Sequence, residues 1–276
     1  AGEGYDSYLW SNGETTQSIE VSESGNYSVE VGDGYANDYS MSFDGVDDYV
    51  ELASSNSLDF ENQNQITITS WIKITSSQNQ YAIFNNSDFL NPYPQVAFKI
   101  ENGKLYFISG NGYFESNGLN LSETQLPLNE WIYVTFSYDS NAVRFYINGI
   151  LDFENYVIAQ FPALSANNAY IGNSWGANNI PFSGNIANVN VWNTALTSEE
   201  IQHFMSCLPI GNEEGLVGCW NFEEGSGTTP YDQTANGNDG TINGATWSSE
   251  TPEQNCSSCS SSDEITVTIN VCGCTD

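Results

Sequence analysis

With 276 residues, the chain is long enough for one large β domain, or for such a domain with a smaller companion. Its 39% of hydrophobic and 13% of aromatic residues argue for a folded protein and against a disordered acidic one. The 35 Asp and Glu residues face only four Lys and Arg, which gives a net charge of −31. Such a chain is a poor partner for nucleic acid and anionic membranes but attracts divalent cations. No apolar run reaches the roughly 18 residues of a membrane-spanning helix.

Residues 5–35 predict three short strands with turn signals between them, the second at Ser24-Gly25-Asn26. A further alternating strand is predicted far away, at Ile265, Val267 and Ile269. The stretch YLWSNGETTQSIEVSESGNYSVEV resembles the immunoglobulin-like or PKD-like repeats of large secreted bacterial surface proteins, which end in such a strand. The resemblance implies an incomplete immunoglobulin-like sandwich of residues 1–36 and 257–276, with residues 37–256 inserted in one hairpin loop.

The longest hairpin-like pattern is WIYVTFSYDSNAVRFYING at residues 131–149, where apolar residues alternate on both sides of a polar turn. Further strands are predicted within 39–52 and 66–74. The motifs SFDGVDDYVEL, ITSWIKI, AYIGNSWG and FSGNIANVNVWNTALTSEEI, in this order, resemble a concanavalin A-like jelly roll of the bacterial laminin G type. The resemblance implies an all-β fold in which two antiparallel sheets form a sandwich with very little helix.

One short helix is predicted near 198–206. Thr197 and Glu200 have the spacing of a capping box. The apolar face of the helix is predicted at Ile201, Phe204 and Met205. His203, the one histidine, is expected to face solvent.

The segment 215–247 resembles what normally opens a laminin G-type domain, yet here it follows the helix. Two interpretations fit. The segment completes the same sandwich by circular permutation, or it begins a second, truncated copy. Permutation is favoured because about 35 residues are too few to bury a core of their own.

Oxygen-bearing side chains alternate in the loop 232–240, as a hard cation such as Ca²⁺ requires. In the resembled family this segment and the FDGVDDY turn often lie near a structural calcium. The implied ligands are Asp232, Asn236 and Asn238, with Asp44, Asp47 and Asp48 as further candidates. The alternative is an Asn-Gly turn without a metal.

No enzyme is predicted. Residues 172–176 match the nucleophile-elbow pattern G-x-S-x-G, but that elbow needs a strand-to-helix turn and a nearby histidine. The paired acids E-x-D-x-x-E of concanavalin A-like glucanases are absent from the sequence.

Three loop-like segments combine aromatic residues with Asn, a composition suited to stacking on sugar rings and bonding their hydroxyls. The candidate ligand-binding residues are Tyr93, Tyr113, Trp175, Asn178 and Asn179. The alternative is a protein interface, which also favours aromatic residues.

All six cysteines lie in the last quarter of the chain, and each is a disulfide candidate: Cys207, Cys219, Cys256, Cys259, Cys272 and Cys274. Their even number favours disulfides in an oxidising, extracellular compartment. The first candidate pair within the chain is Cys207 with Cys256, which leaves Cys259 as a candidate for a partner outside this motif. Zinc bound at 256–259 and 272–274 is the alternative.

The sequence therefore predicts a non-catalytic, extracellular adhesion or fibre module, either excerpted from a longer protein or a self-assembling subunit. Its expected partners are other copies of itself or neighbouring repeats, joined by strand complementation. The alternative function is a calcium-dependent carbohydrate-binding (lectin) module that binds cell-surface or matrix glycans.

Overall fold

The computed structural model describes residues 7–14, 16–22, 24–32, 37–53, 55–60, 63–77, 80–87, 94–109, 121–156, 168–173, 180–254 and 263–267. The chain divides into two compact units. The smaller comprises Ala1–Ala36 and Gln254–Asp276, and the larger is Asn37–Glu253. In the described part of the chain, no helix has the length and apolarity needed to cross a membrane.

The smaller unit contains a three-stranded antiparallel sheet in the order β1 (Ser7–Trp10), β2 (Gly25–Gly32) and β17 (Asp263–Val267). The distant strand predicted from the alternation around Ile265 thus pairs with β2. The turn predicted at 24–26 is wrong, because Gly25 and Asn26 pair with Val267 and Thr266 and so begin β2. Pairing with a strand that is remote in sequence has overridden a local turn signal.

Eight strands form the first sheet of the larger unit, in the order β11-β10-β9-β5-β13-β3-β16, and β14 also pairs with β13. Their bounds are β3 (Ser40–Asp44), β5 (Ile66–Ile74), β9 (Trp131–Tyr138), β10 (Ala142–Ile147), β11 (Ile150–Tyr156), β13 (Ser183–Trp192), β14 (Leu216–Trp220) and β16 (Thr246–Ser248).

Six strands form the second sheet, in the order β15-β4-β12-β6-β7-β8. Their bounds are β4 (Tyr49–Leu52), β6 (Gln80–Ser87), β7 (Pro94–Glu101), β8 (Lys104–Ser109), β12 (Asn168–Ile171) and β15 (Gly240–Asn243). A short 3-10 helix, η1 (Asn56–Leu58), follows β4.

The two sheets face each other across the main core. Phe107 of β8 stacks on Phe136 of β9 with 3.5 Å between ring centroids, and Phe98 of β7 lies 6.3 Å from the same ring. Ile132 and Val134, at alternate positions with Phe136, are also fully buried. The predicted all-β sandwich is confirmed, and the hairpin that dominates the sequence pattern lies within it as β9 and β10.

The outer face of the eight-stranded sheet is covered by α1 (Ser198–Ser206), the predicted helix. Its predicted capping box is confirmed. The Thr197 hydroxyl accepts from the Glu200 N–H at 3.2 Å, and the Thr197 N–H donates to the Glu200 carboxylate at 2.7 Å. Phe204 packs against Trp192 with ring centroids 4.7 Å apart, and His203 is exposed.

Residues 215–248 add strands to both sheets. β14 pairs with β13 and β16 with β3, whereas β15 pairs with β4 in the opposite sheet. Trp220 and Phe222 are fully buried in the main core. The segment therefore completes the same sandwich, as permutation requires, and the interpretation as the start of a second copy is wrong.

Candidate functional site

Strand registers gather several loops at one end of the larger unit, called here the Asp44 end. β3 finishes at Asp44, opposite Ser183, which is the first residue of β13, and β5 finishes at Ile74 on the other side of β13. From this end both strands cross to the six-stranded sheet and continue there as β4 and β6. The other end of the unit, where β4 finishes at Leu52, is called the Leu52 end.

Three carboxylates converge in the turn between β3 and β4. Oxygen atoms of Asp44, Asp47 and Asp48 all lie within 4.8 Å of one another. The turn holds itself in place, because Asp44 Oδ1 accepts from the Val46 N–H at 2.7 Å and Asp48 Oδ2 accepts from the Asp44 N–H at 2.8 Å. Gly244 closes over the turn, since a Cβ on this residue would lie 2.1 Å from Asp48 Oδ1.

The electrostatics of this turn favour a cation. Asp48 is only 6% exposed, and burial raises the pKa of its carboxyl; the charges of Asp44 and Asp47 add to the shift, and the Asp44 N–H opposes it. Carboxylate oxygens are the donors that Ca²⁺ prefers. The donor chemistry of these three residues therefore fits a divalent cation.

Asp232 has a different environment, which makes it a poor metal ligand. It is 8% exposed, and its two oxygens accept five hydrogen bonds of 2.7–3.0 Å. The donors are the Cys219 N–H, the N–H and hydroxyl of Thr234, and the N–H and Nδ2 of Asn238. These donors occupy the lone pairs that a metal would need.

The two predicted amide ligands also bond to protein groups. Asn236 Nδ2 and Asn238 Nδ2 both donate to the Val217 carbonyl, at 3.0 and 2.9 Å. Asn238 Oδ1 accepts from the Ser57 hydroxyl at 2.9 Å. Asp232, Asn236 and Asn238 thus tie their loop to β14 and η1, and these hydrogen bonds compete with the predicted role of the three residues as calcium ligands.

The six predicted ligands do not form one site. Asp48 lies beside Gly244. Gly244 directly follows the last residue of β15, Asn243, which lies at the Asp44 end of the unit. Asp232 bonds to Asp239, which directly precedes β15 at the Leu52 end. The five residue steps from Asp239 along β15 to Gly244 separate the two sets by roughly 16 Å at about 3.3 Å per residue.

A pocket of about 440 Å³ opens at the Asp44 end beside the last residue of β5. Its lining combines apolar side chains with hydroxyls and amides, and no lining residue is a carboxylate, a histidine, a thiol or a cation. The lining residues are Ile74, Ser76, Ser77, Tyr81, Asn102, Gly103, Gln125, Leu126 and Leu128.

One wall of the pocket is the two-residue turn between β7 and β8. Asn102 and Gly103 have φ values of 51° and 74°, as in the type I′ turns of β-hairpins. Gln125 Nε2 donates to the Asn102 carbonyl at 2.9 Å, and the Leu126 N–H donates to the Gly103 carbonyl at 2.8 Å. A Cβ on Gly103 would lie 1.9 Å from Gln125 Nε2, so any other residue would displace the Gln125 side chain. The positive φ of Gly103 also favours glycine at this position.

The pocket and the acidic turn are neighbours. The Thr75 N–H donates to the Ser183 carbonyl, and Ser183 lies opposite Asp44, so two strand spacings of about 4.8 Å separate Asp44 from Thr75. Phe182 packs between Phe43, which precedes Asp44, and Tyr81 of the pocket, with ring centroids 6.0 and 5.9 Å apart. Asp44 therefore lies roughly 10 Å from Thr75, whose chain neighbours Ile74 and Ser76 line the pocket.

The five residues predicted to contact sugars, Tyr93, Tyr113, Trp175, Asn178 and Asn179, lie outside the described residues. Described residues flank their segments. Asn173 and Ile180, which precede and follow 174–179, lie at the Asp44 end, where the Ile180 N–H donates to Asn173 Oδ1 at 3.2 Å. Ser87 and Ser109, which precede the other two segments, lie toward the Leu52 end.

Two cysteines belong to the described part of the chain. Cys207 is buried at the end of α1 and is disulfide-bonded. Cys219 carries a free thiol, so its prediction as a disulfide partner is corrected: it lies within β14, 1% exposed, under the cover of α1. Burial raises the pKa of this thiol, and the charges of Asp232 and Glu213 add to the effect. The predicted partner of Cys207 lies outside the described residues, as do Cys259, Cys272 and Cys274.

Sequence reasoning found the acidic turn but missed the pocket. The Asn102-Gly103 pair between two apolar runs is a strong hairpin signal and could have identified one wall. The remaining walls come from the chain after β5 and from residues 125–128, which have no common sequence signal.

Comparisons with known proteins agree with this architecture. The family model Laminin_G_3, described as the concanavalin A-like lectin/glucanases superfamily, matches residues 44–202. The match ends before β14, β15 and β16, which follow α1 in the sequence. The comparison with curated proteins found no similar sequence.

Two solved structures show the same fold. A proposed carbohydrate binding protein from Bacteroides ovatus ATCC 8483 is 17% identical, with a TM-score of 0.63 over 83% of this chain and 70% of that one. The native heptameric SAP-like pentraxin from Limulus polyphemus is 18% identical, with a TM-score of 0.55 over 80% of this chain and 98% of that one. At these identities the similarity concerns the fold alone.

Proposed function

Because the chain belongs to the concanavalin A-like lectin/glucanases superfamily, we propose that it is a carbohydrate-binding module whose site is the pocket at the Asp44 end. The observation that carries the proposal is the lining of this pocket, which sets hydroxyl and amide groups beside apolar side chains. A sugar presents the same combination of hydroxyl groups and apolar C–H surface. The proposal adopts the alternative of the two predicted functions, and the Bacteroides ovatus relative supports it.

Each polar group of the pocket suits a hydroxyl. Serine hydroxyls and the side-chain amides of Asn and Gln both donate and accept, as sugar hydroxyls do. Leu126 and Leu128 supply apolar surface for the C–H face of a ring. The module is proposed to bind without catalysis, because the pocket lining offers no carboxylate, imidazole or thiol to act as an acid, a base or a nucleophile.

Asp44, Asp47 and Asp48 are the proposed ligands of a structural Ca²⁺ beside the pocket. Without calcium, the raised pKa of Asp48 means that the folded state binds a proton more tightly than the unfolded state. Stability therefore falls as the pH rises from the ordinary carboxyl pKa through the raised one. A bound cation removes this penalty, and its affinity falls when the pH drops through the pKa of Asp48, because the proton then competes.

Substitution of Gly103 tests the pocket as the sugar site. Gly103→Ala is expected to displace Gln125 and to weaken glycan binding on an array by about tenfold or more, equivalent to about 1.4 kcal/mol. The matched control is Gly237→Ala, because Gly237 also has a positive φ of 67° but no atom within 4 Å of the added Cβ. Both variants are measured on the array in calcium and in chelator. Unchanged binding by a folded Gly103→Ala variant would contradict the assignment of the pocket as the sugar site.

Adhesion through strand addition is the second candidate function. It rests on the three-stranded sheet of the smaller unit, where β1 and β17 each pair on one side only within the described residues. An unpaired edge can accept a strand from another copy. The disulfide at Cys207 supports an extracellular location, where such assemblies occur. Electron microscopy of the purified chain is expected to show filaments, and uniform monomers in oxidising buffer would count against this function.

A further inference from the structure

We propose that the pocket selects uncharged sugars and discriminates against anionic ones, such as uronic and sialic acids. The inference rests on the proposed function, because it names the class of sugar that the same pocket takes. Three observations carry it: no cation lines the pocket, three of the four cations of the chain are paired with carboxylates, and a cluster of three carboxylates lies at the same end of the unit.

The pocket offers no cation to an anion. Charged carboxylates and sulfates are bound by Arg or Lys through charge-assisted hydrogen bonds, which are roughly twice as strong as neutral ones. The polar side chains that line this pocket are all neutral: Ser76, Ser77, Tyr81, Asn102 and Gln125. An anion placed there would lose hydration without gaining an ion pair.

None of the four cations of the chain lines the pocket, and three of them are paired with carboxylates. Lys73 contacts Glu250 at 3.2 Å, and Lys99 contacts Glu101 at 3.4 Å. Arg144 bonds to two carboxylates, each at 2.7 Å.

The fourth cation, Lys104, begins β8 beside the pocket turn. Its neighbour Leu105 is buried in the core between the sheets, so Lys104 lies on the opposite, outer face of the six-stranded sheet. Lys104 therefore does not line the pocket, and its charge acts there only across solvent.

The surrounding field is negative. Asp44, which clusters with Asp47 and Asp48, lies two strand spacings, roughly 10 Å, from Thr75 beside the pocket, about one Debye length at 0.1 M salt. A bound divalent cation would offset two of these three charges and leave the turn negative. The net charge of −31 adds repulsion at longer range.

The test compares matched sugars on one array with the full chain. The probes are galactose and galacturonic acid, glucose and glucuronic acid, and lactose and 3′-sialyllactose, each in calcium and in chelator. The expected result is binding of at least one neutral member, about tenfold tighter than its anionic partner at low salt, with a smaller difference at about 0.5 M NaCl. Equal or tighter binding of the anionic partner overturns the inference and leaves the proposed function standing. Absence of binding to every probe overturns the proposed function, and the inference with it.

A positive charge placed at the pocket tests whether the lack of a cation causes the discrimination against anionic sugars. Ser77 is exposed at the pocket edge, so substitution there should not disturb folding. Ser77→Lys is expected to strengthen binding of the anionic sugars about fivefold or more, whereas Ser77→Met, similar in length but neutral, leaves the preference unchanged. If both variants behave alike, charge is not the basis of the selection and the inference fails.

Discussion

Replacing Asp232 with Ala is expected to lower the free energy of unfolding by about 4 kcal/mol or more. The substitution leaves five donors without their acceptor, among them the N–H groups of Cys219 and Asn238 in the protein interior. An unpaired buried donor costs about 1–3 kcal/mol, and some of these donors can reach water in the variant. Urea unfolding followed by tryptophan fluorescence measures the loss.

The same experiment separates a structural carboxylate from a calcium ligand. Asp47→Asn, at an exposed position of the acidic turn, is expected to change stability in chelator by no more than about 0.5 kcal/mol. Calcium at 100 times its dissociation constant stabilises a one-site protein by about 2.7 kcal/mol, and Asp47→Asn should lose most of that gain. Asp232→Ala should keep it. The assignments are reversed if calcium stabilises the wild type and Asp47→Asn but not Asp232→Ala.

Removal of residues 215–253 from the larger unit is expected to abolish folding. The deletion takes away β14, β15 and β16 and exposes edges on β3 and β4. It also removes Trp220 and Phe222, which are fully buried. Truncating one buried aromatic side chain costs about 3–5 kcal/mol, so these losses approach the whole stability of a domain, about 5–15 kcal/mol.

The control is the complete larger unit, residues 37–253. This chain contains every strand of the two facing sheets and should unfold cooperatively on heating. Circular dichroism and calorimetry compare the two chains. A cooperative transition in the shortened chain would show that the last three strands are not needed to close the sandwich.

The sequence was informative where the signal was local. Alternation in residues 131–149 predicted β9 and β10, and the spacing of Thr197 and Glu200 predicted the start of α1. The three acidic residues that meet in the β3–β4 turn lie within five positions of one another, so their convergence was also visible. In each case the interacting groups are close in sequence.

The sequence was less informative where the role of a residue depends on groups that are remote in the chain. A loop rich in Asp and Asn has the same composition whether its oxygens bind a metal or backbone N–H groups. For Asp232, the deciding donor Cys219 lies on β14, and Asn238 is fixed by the carbonyl of Val217 on the same strand. The pocket was missed for the same reason, since it forms where separate loops meet at one end of the sandwich.

The permuted strand order also sets when the sandwich can close during synthesis. Met41 on β3 pairs with Trp247, and Val50 on β4 pairs with Ile242. These partners are about 200 positions apart, so at roughly 5–20 residues per second the early strands wait roughly 10–40 s for them. Throughout that time β3 and β4 present unpaired edges on which a neighbouring chain can pair. The ribosome must therefore synthesise β16, up to Ser248, before the jelly roll is protected from misassembly.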